Sequence, residues 1–258
     1  HQAPNTVVFD HELPALRECI RTACAAGVDA LIVQDWGVAA IVRELAPDIP
    51  LHASTQMAIH SPAGAETAKR LGFSRVVLAR ELSKDQIAAI REASGLEIEA
   101  FVHGAHCMSV SGQCYMSAVF GGKSGNRGMC AQPCRLPFTA GCPSLPKAGE
   151  NVLSLKDLSL VKRLPELAAM GIDSFKIEGR MKRPEYVAAA VTACRAALAG
   201  EEPDLDTLQA VFSRSGFTSA YYDNAIGREM FGFRRREDVA AAAPVLKNLA
   251  ILYHKDVQ

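Results

Sequence analysis

The sequence predicts an α/β fold of the TIM type: a (βα) barrel, incomplete at its N-terminus, with an inserted cysteine-rich module and a small C-terminal extension. Three observations point there. Short apolar runs alternate with helical stretches through the first hundred residues, polar side chains recur just beyond the C-terminal end of each run, and no G-x-G-x-x-G fingerprint of a dinucleotide-binding sheet is present. Short buried runs separated by helices indicate parallel strands in βα units. The recurring polar residues fall on the face where barrels build their sites.

The apolar runs are residues 30–33, 51–54, 75–78 and 97–102, with starts 21 to 24 residues apart, and helical segments such as 13–26 and 62–71 accompany them. Gln34 and Asp35, Thr55 and Gln56, Arg80 and Glu81, and His103 follow the runs in turn. Thr6-Val7-Val8-Phe9 also reads as strand. Between residues 104 and 149 the periodicity lapses, and five cysteines and four prolines mark an irregular module that needs a metal or crosslink to hold it. The βα rhythm returns at 152–155 and 174–178. A helix is expected over 184–198, with Pro184 in its first turn and Gly200 just past its end. Glu201-Glu202-Pro203 resembles a linker, and residues 248–258 read as the start of another strand. The expected organisation is a core over 1–199, carrying the 104–149 insertion, then a small segment over 200–258 that begins a further domain. At most seven strands can be counted. An eight-stranded barrel does not close on that number, so its first part is expected ahead of His1, in a longer protein.

Composition narrows the functional classes. The 258 residues are 49% hydrophobic and 22% charged, as in ordinary globular domains. No apolar run approaches the roughly 18 residues that cross a bilayer, and no secretory leader is visible, so a cytoplasmic protein is expected. Lys and Arg together number 28, as do Asp and Glu, so bulk charge offers nucleic acid no general attraction. Two local basic clusters stand out, Arg180-Met181-Lys182-Arg183 and Arg234-Arg235-Arg236; each reads either as a solvated surface or as a contact for an anionic partner.

Eight cysteines in such a chain point to metal or redox chemistry rather than disulfides. Cys107, Cys114, Cys130, Cys134 and Cys142 fall within 36 residues, while Cys19, Cys24 and Cys194 lie in helical stretches as small buried hydrophobes. The pattern Cys107-x6-Cys114-x15-Cys130-x3-Cys134 supplies four soft thiolate ligands for zinc or an iron–sulfur cluster. Structural zinc sites bring ligands in pairs two to four residues apart. Only Cys130 and Cys134 follow that habit, so the spacing favours an iron–sulfur cluster, with zinc the alternative.

The segment Glu99-Ala100-Phe101-Val102-His103-Gly104-Ala105-His106-Cys107, continuing to Ser111-Gly112-Gln113-Cys114-Tyr115-Met116-Ser117, closely resembles the signature of the U32 peptidase family. Asn126-Arg127-Gly128-Met129-Cys130-Ala131-Gln132-Pro133-Cys134-Arg135 is similar to that family's second cysteine block. Ser54-Thr55-Gln56, Leu78-Ala79-Arg80-Glu81, Ser154-Leu155-Lys156-Asp157-Leu158 and Phe175-Lys176-Ile177-Glu178-Gly179-Arg180-Met181-Lys182 resemble further blocks in the same order. Phe212-Ser213-Arg214-Ser215-Gly216-Phe217-Thr218 is similar to the segment after the barrel in longer members, and the resemblance spans residues 30–233. His106 departs from the family, which usually carries an aliphatic residue there; it either tunes or ligates a cluster or is a tolerated substitution.

The resemblance implies a barrel whose four cysteines, Cys107, Cys114, Cys130 and Cys134, hold an iron–sulfur cluster of the 4Fe-4S kind. Some members are described as collagenase-like proteases; others take part in hydroxylation without molecular oxygen, on ribosomal RNA, transfer RNA or a ubiquinone precursor, the RNA-directed ones with prephenate. The cysteine blocks and post-barrel segment look most like the ribosomal RNA branch. An enzyme is therefore expected, with RNA and a small dicarboxylate as substrates, and with an electron donor as a further partner. Glu99, His103 and Glu178 are the candidate catalytic residues. Gln56, Arg80, Glu81, Lys176 and Arg180 are the candidates for substrate binding, the basic ones suited to carboxylates through charge-assisted hydrogen bonds. For proteolysis the residues offer little: neither a G-x-S-x-G elbow nor H-E-x-x-H is present. A third reading is a scaffold that holds a cluster or zinc without turnover.

Overall fold

The computed structural model describes residues 1–138, 151–179 and 182–254, and they divide into two compact units. Of these, the first unit takes in residues 1–100, 109–133 and 172–174, and the second takes in 101–108, 134–138, 151–171, 175–179 and 182–254.

The first unit is built of βα repeats. In order they are α1 (Leu13–Ala25), β1 (Leu31–Val33), α2 (Trp36–Leu45), β2 (Leu51–Ala53), α3 (Pro62–Arg70), β3 (Arg75–Val77), α4 (Lys84–Ser94) and the start of β4 (Glu97–Ala105). β1, β2, β3 and β4 pair in that order, all parallel, with Leu31 opposite Leu51, His52 opposite Arg75 and Val76 opposite Ile98. Leu31, Val33, Leu51, Val76, Val77 and Ile98 are fully buried. Burying each such side chain is worth about 1.5–3 kcal/mol, which is why these runs lack the alternation of a half-exposed strand. The helices start where short polar side chains can satisfy their free N–H groups. Asp35 accepts from Gly37 and Val38, Ser61 accepts from Gly64, and Ser83 forms a reciprocal box with Gln86. Asp35 and Gln34, which the sequence placed on a site-bearing face, therefore have structural work: Gln34 Nε2 donates to the carbonyls of Asn5 and Asn126 at 3.1 and 2.8 Å. Cys24 is half-buried and Cys19 is exposed rather than packed, because the buried stripe of α1 runs through Leu16, Ile20 and Ala23.

Two further elements depart from expectation here. Thr6-Val7-Val8-Phe9 forms no strand; Val7 N donates to Asn126 O and Val8 N to the Asp35 carboxylate, so its backbone is satisfied outside any ladder. Part of the cysteine-rich stretch is regular, since it carries the helix α5 (Met116–Gly121) and a short 3-10 turn at Gly125–Arg127. Residues 139–150, with Cys142, lie outside the described residues.

In the second unit the end of β4 pairs with β5 (Asp157–Ser159), antiparallel, with His103 opposite Ser159 and Ala105 opposite Asp157. The remaining elements are α6 (Leu164–Ala169), β6 (Ser174–Ile177), α7 (Pro184–Leu198), α8 (Leu205–Val211), β7 (Phe217–Thr218), α9 (Arg236–Ala241) and α10 (Ala243–His254). β7 runs parallel to β5, and β6 pairs with β4. The architecture is thus mixed α/β with parallel strands, and the antiparallel β5 departs from the all-parallel order of the expected barrel. The strand expected at 152–155 begins instead at Asp157, after a turn over residues 151–153. Leu153, Leu155 and Leu158 give an apolar run but not its phase, which the pairing partner sets. Residues 248–254 are helix rather than the expected strand, and 255–258 lie outside the described residues; Pro244 suits the first turn of α10, and a short apolar run does not by itself separate the two states. α7 keeps its expected bounds and packs on α8 and α10.

Gly104, within β4, has φ +119°, and a Cβ there would lie 2.5 Å from the carbonyl oxygen and 2.8 Å from Cβ of Glu178. Gly104→Ala is expected to cost about 2–4 kcal/mol, from overpacking added to backbone strain. Urea denaturation checks this; a midpoint equal to wild type would mean that Glu178 yields freely.

Candidate functional site

Each unit gathers part of the expected residue set. In the first, the segment between Cys107 and Cys114 is held by its neighbours. Ser111 is buried and its hydroxyl donates to the Glu81 carboxylate at 3.0 Å while accepting from the Arg80 backbone N–H at 3.5 Å. Gly112, at φ +78°, packs so closely that a Cβ would meet the carbonyl oxygen of Gln56 at 2.2 Å. Gln56, Arg80 and Glu81 are thereby brought to one loop, though through backbone atoms for the first two.

Cys114 and Cys130 flank Gly125 in the same unit: a Cβ there would lie 3.8 Å from the carbonyl oxygen of Cys114 and 3.6 Å from Cβ of Cys130. The turn that carries Gly125 is anchored by Arg127, which donates to the Val7 carbonyl at 2.7 Å and to both oxygens of Glu12 at 2.9 and 2.5 Å. The same guanidinium holds the Glu12 carboxyl down at about 2. The Cys130 sulfur accepts from Gln132 N–H at 3.4 Å and faces Ser117 Oγ at 3.9 Å, and Ser117 Oγ in turn accepts from Ala131 N–H. Donors aimed at sulfur tune any metal bound to it.

Glu99 is buried and faces Arg75 at 3.4 Å and the Ser174 hydroxyl at 3.0 Å. Arg75 also pairs with Glu97 at 2.8 Å. A carboxylate engaged on two sides is fixed in place, which suits an anchor.

In the second unit the organising side chain is Arg135, which sequence reasoning passed over. It donates to Ser154 Oγ at 3.1 Å, to the Leu155 carbonyl at 2.6 Å and to the His106 carbonyl, while its own carbonyl accepts from Asn151 at 2.8 Å. Burial and Arg214 depress its pKa; Cys134, Asp157 and Cys107 act in the opposite direction. Cys107 and Cys134 thus interact electrostatically with one guanidinium. Asp157 and Arg214 also lay in sequence blocks without an assigned role. Asp157 accepts from the Arg214 backbone N–H at 2.9 Å and from its guanidinium, both groups buried. Burial pushes the Asp157 carboxyl up, and Arg214, Lys182 and Arg135 oppose that.

His103 is fully buried, stacked on Tyr186 at 5.6 Å between centroids and edge-on to Phe217 at 5.2 Å. Neither ring nitrogen has a hydrogen-bond partner among the described residues. Burial first, then the nearby Lys182 charge, lower its pKa to about 4. His103 is therefore a neutral ring at pH 7. Its carbonyl accepts from Glu178 N–H at 2.8 Å, and Tyr186 donates to the Glu178 carbonyl at 3.2 Å, so the Glu178 backbone is fixed on both sides. Lys176 Nζ lies 5.5 Å from the Phe101 ring centroid. His106 is buried and edge-on to Tyr221. Arg180 lies outside the described residues.

The seven described cysteines are unbridged. Among the described residues no three His, Cys, Asp or Glu side chains stand together as a metal site, and no helix is long and apolar enough to cross a membrane.

With this geometry in place, comparison with known proteins is informative. A family model described as peptidase family U32 matches residues 2–231. The chain is 45% identical over 185 residues to a 23S rRNA 5-hydroxycytidine C2501 synthase of Escherichia coli, covering 71% of this chain and 28% of that protein. It is 37% identical over 200 residues to tRNA hydroxylation protein P1 of Bacillus subtilis, covering 74% and 47%. It is 36% identical over 206 residues to a protein named collagenase in Porphyromonas gingivalis, covering 74% and 48%. The chain therefore spans less than half the length of each of these relatives.

The depressed His103 pKa has a pH consequence. Its unfolded value is near 6.5, so the stability that the neutral ring contributes is complete above pH 6.5 and is lost as pH falls towards 4. Wild type should lose on the order of 2–3 kcal/mol more between pH 7 and pH 4 than His103→Phe. Denaturant midpoints at the two pH values check this; parallel losses would show that His103 is not buried neutral.

Proposed function

The chain belongs to peptidase family U32, and on that premise we propose that it takes part in oxygen-independent hydroxylation of an RNA base, ribosomal or transfer, in the cytoplasm. An iron–sulfur cluster, bound by Cys107, Cys114, Cys130 and Cys134, is the proposed cofactor, on the scaffold of an incomplete (βα) barrel. A small dicarboxylate, prephenate in the RNA-directed pathway, is the proposed co-substrate, with Arg80, Lys176 and Arg180 the candidates for its carboxylates. Glu99 and Glu178 are the candidates for proton transfer.

The observation that carries this reading is the setting of the cysteines. Cys107 and Cys134 interact electrostatically with the Arg135 guanidinium, and Cys130 sulfur accepts an N–H, in a chain free of disulfides among its described cysteines. Cations and N–H donors around sulfur lower the cost of holding thiolates, the form that binds iron. Four thiolates favour a cluster by softness, and the cluster would supply electron transfer or an iron with an open coordination position. Two relatives named for RNA hydroxylation, one at 45% and one at 37% identity, favour RNA as the target.

The relative named collagenase supports a second reading, a peptidase. His103 does not supply the base that reading needs. A serine or cysteine nucleophile needs a hydrogen-bonded base, whereas His103 has no hydrogen-bond partner among the described residues and a pKa held at about 4.

Mass spectrometry of nucleosides from ribosomal and transfer RNA tests the proposal. A strain lacking the gene should lack one hydroxylated nucleoside, restored by wild type and not by Cys130→Ala. An unchanged nucleoside profile on deletion would sink the hydroxylation reading.

A further inference from the structure

The two basic clusters that the sequence leaves unassigned meet at one cavity of the second unit. Lys182, Arg183 and Arg234 line a space of about 460 Å3 together with Tyr186, Phe212 and Leu246. That volume lies within the roughly 300–1,000 Å3 of small-molecule pockets, which are mostly apolar with a few placed polar groups. Val211, Val239 and Ala242 extend the apolar wall.

The cations converge on one ring. Lys182 Nζ lies 2.8 Å from the Phe212 centroid, Arg234 Cζ 4.5 Å, and Arg214 Cζ 5.0 Å. The charges around Lys182 are strongly one-sided. Asp157, on β5, is the buried carboxylate that bears on it, and both Asp157 oxygens already accept from Arg214. Arg135, Arg214 and Arg234 repel its charge, Arg183 lies beside it, and among the described residues the Tyr186 hydroxyl and the neutral His103 are also close. Among the described residues no carboxylate lies within ion-pair distance of Lys182, and Arg234 donates to the backbone carbonyls of Val211 and Asp238. Burial and these cations lower the Lys182 pKa to about 7. An aromatic face attracts cations, but it gives Lys182 and Arg234 no full counter-charge; Arg214 has Asp157, and Asp238 acts on Arg234 without an ion pair among the described residues.

We propose that the cavity bounded by Lys182, Arg183, Tyr186, Phe212, Arg234 and Leu246 binds a small organic anion, a carboxylate or phosphate monoester on an apolar body. The anionic head pairs with Lys182 and Arg234, and the body lies against Phe212 and the apolar wall. The two headgroups share this chemistry, because arginine and lysine recognise both. The mostly apolar lining favours a small molecule over an RNA backbone, which needs a continuous positive track. This inference stands independently of the RNA reading.

Calorimetric titration of the purified protein at pH 8 with benzoate and with phenyl phosphate tests it, with benzyl alcohol and inorganic phosphate as single-feature controls. At least one anionic aryl probe should saturate one site more tightly than either control. Binding should take up close to one proton, read from the dependence on buffer ionisation heat, because Lys182 is mostly neutral at that pH and recharges against the anion. Lys182→Met should weaken binding at least tenfold and abolish the uptake. Leu246→Trp, which fills the cavity and leaves the charges, should weaken binding with no change in thermal melting. The proposal is overturned if neither probe saturates, or if both variants bind like wild type. Tight, Lys182-dependent binding of a single-stranded oligoribonucleotide with no binding of the small probes would equally overturn it, in favour of a nucleic-acid contact.

Discussion

The buried pair of Asp157 and Arg214 is the interaction around which the second unit is arranged. A carboxylate in that position cannot stand alone, since removing one partner of such a pair typically costs about 3–5 kcal/mol. Asp157 is fixed on β5 opposite Ala105, and Arg214 meets it with both a backbone N–H and its guanidinium. The pairing also decides what remains. With Asp157 committed, burial lowers the pKa of the nearby Arg135, Lys182 and Arg234, and repulsion by Arg214 adds to it in each case. The unit is therefore prepared for anions. Arg135 meets that need at Cys107 and Cys134, where a thiolate is the natural counter-charge. Among the described residues Lys182 and Arg234 form no ion pair; rings and backbone carbonyls lie against them, with Asp157 and Asp238 acting at longer range.

The first unit solves a different problem, which is to fix a glycine-rich loop that carries two cysteines. Arg127 ties its turn to Glu12 and Val7, and Ser111 ties its start to Glu81. Both anchors are charge-assisted hydrogen bonds, the strong kind. They hold a segment too irregular to be ordered by a ladder of its own.

Much of the local structure was legible. The parallel runs of the first unit, their caps and α7 follow from patterns within one stretch of chain: buried apolar runs, Ser or Asp at helix starts, Pro184 in a first turn. What the sequence hid depends on partners far along the chain. The start of β5 is set by β4, and residues 6–9 are satisfied by Asn126 and Asp35 rather than by a strand. The C-terminal apolar run turned out to be helix because its length permits either state and the packing on α7 decides. Candidate site residues were recognisable as types, yet their roles were not. Glu99 finds Arg75 and Ser174, and His103 is neutral because two rings and a lysine surround it. Arg135, Asp157 and Arg214 stood in blocks noticed only as resemblances, because an ion pair 57 residues apart leaves no periodic trace.

The account rests most heavily on what the four cysteines bind. Anaerobic purification followed by an absorption spectrum with iron, acid-labile sulfide and zinc assays tests this directly. The account predicts a brown protein with a broad band near about 400 nm, iron and sulfide in equal amounts and about four of each per chain. A colourless protein with one zinc per chain and no sulfide would contradict it, and would make the cysteines structural ligands.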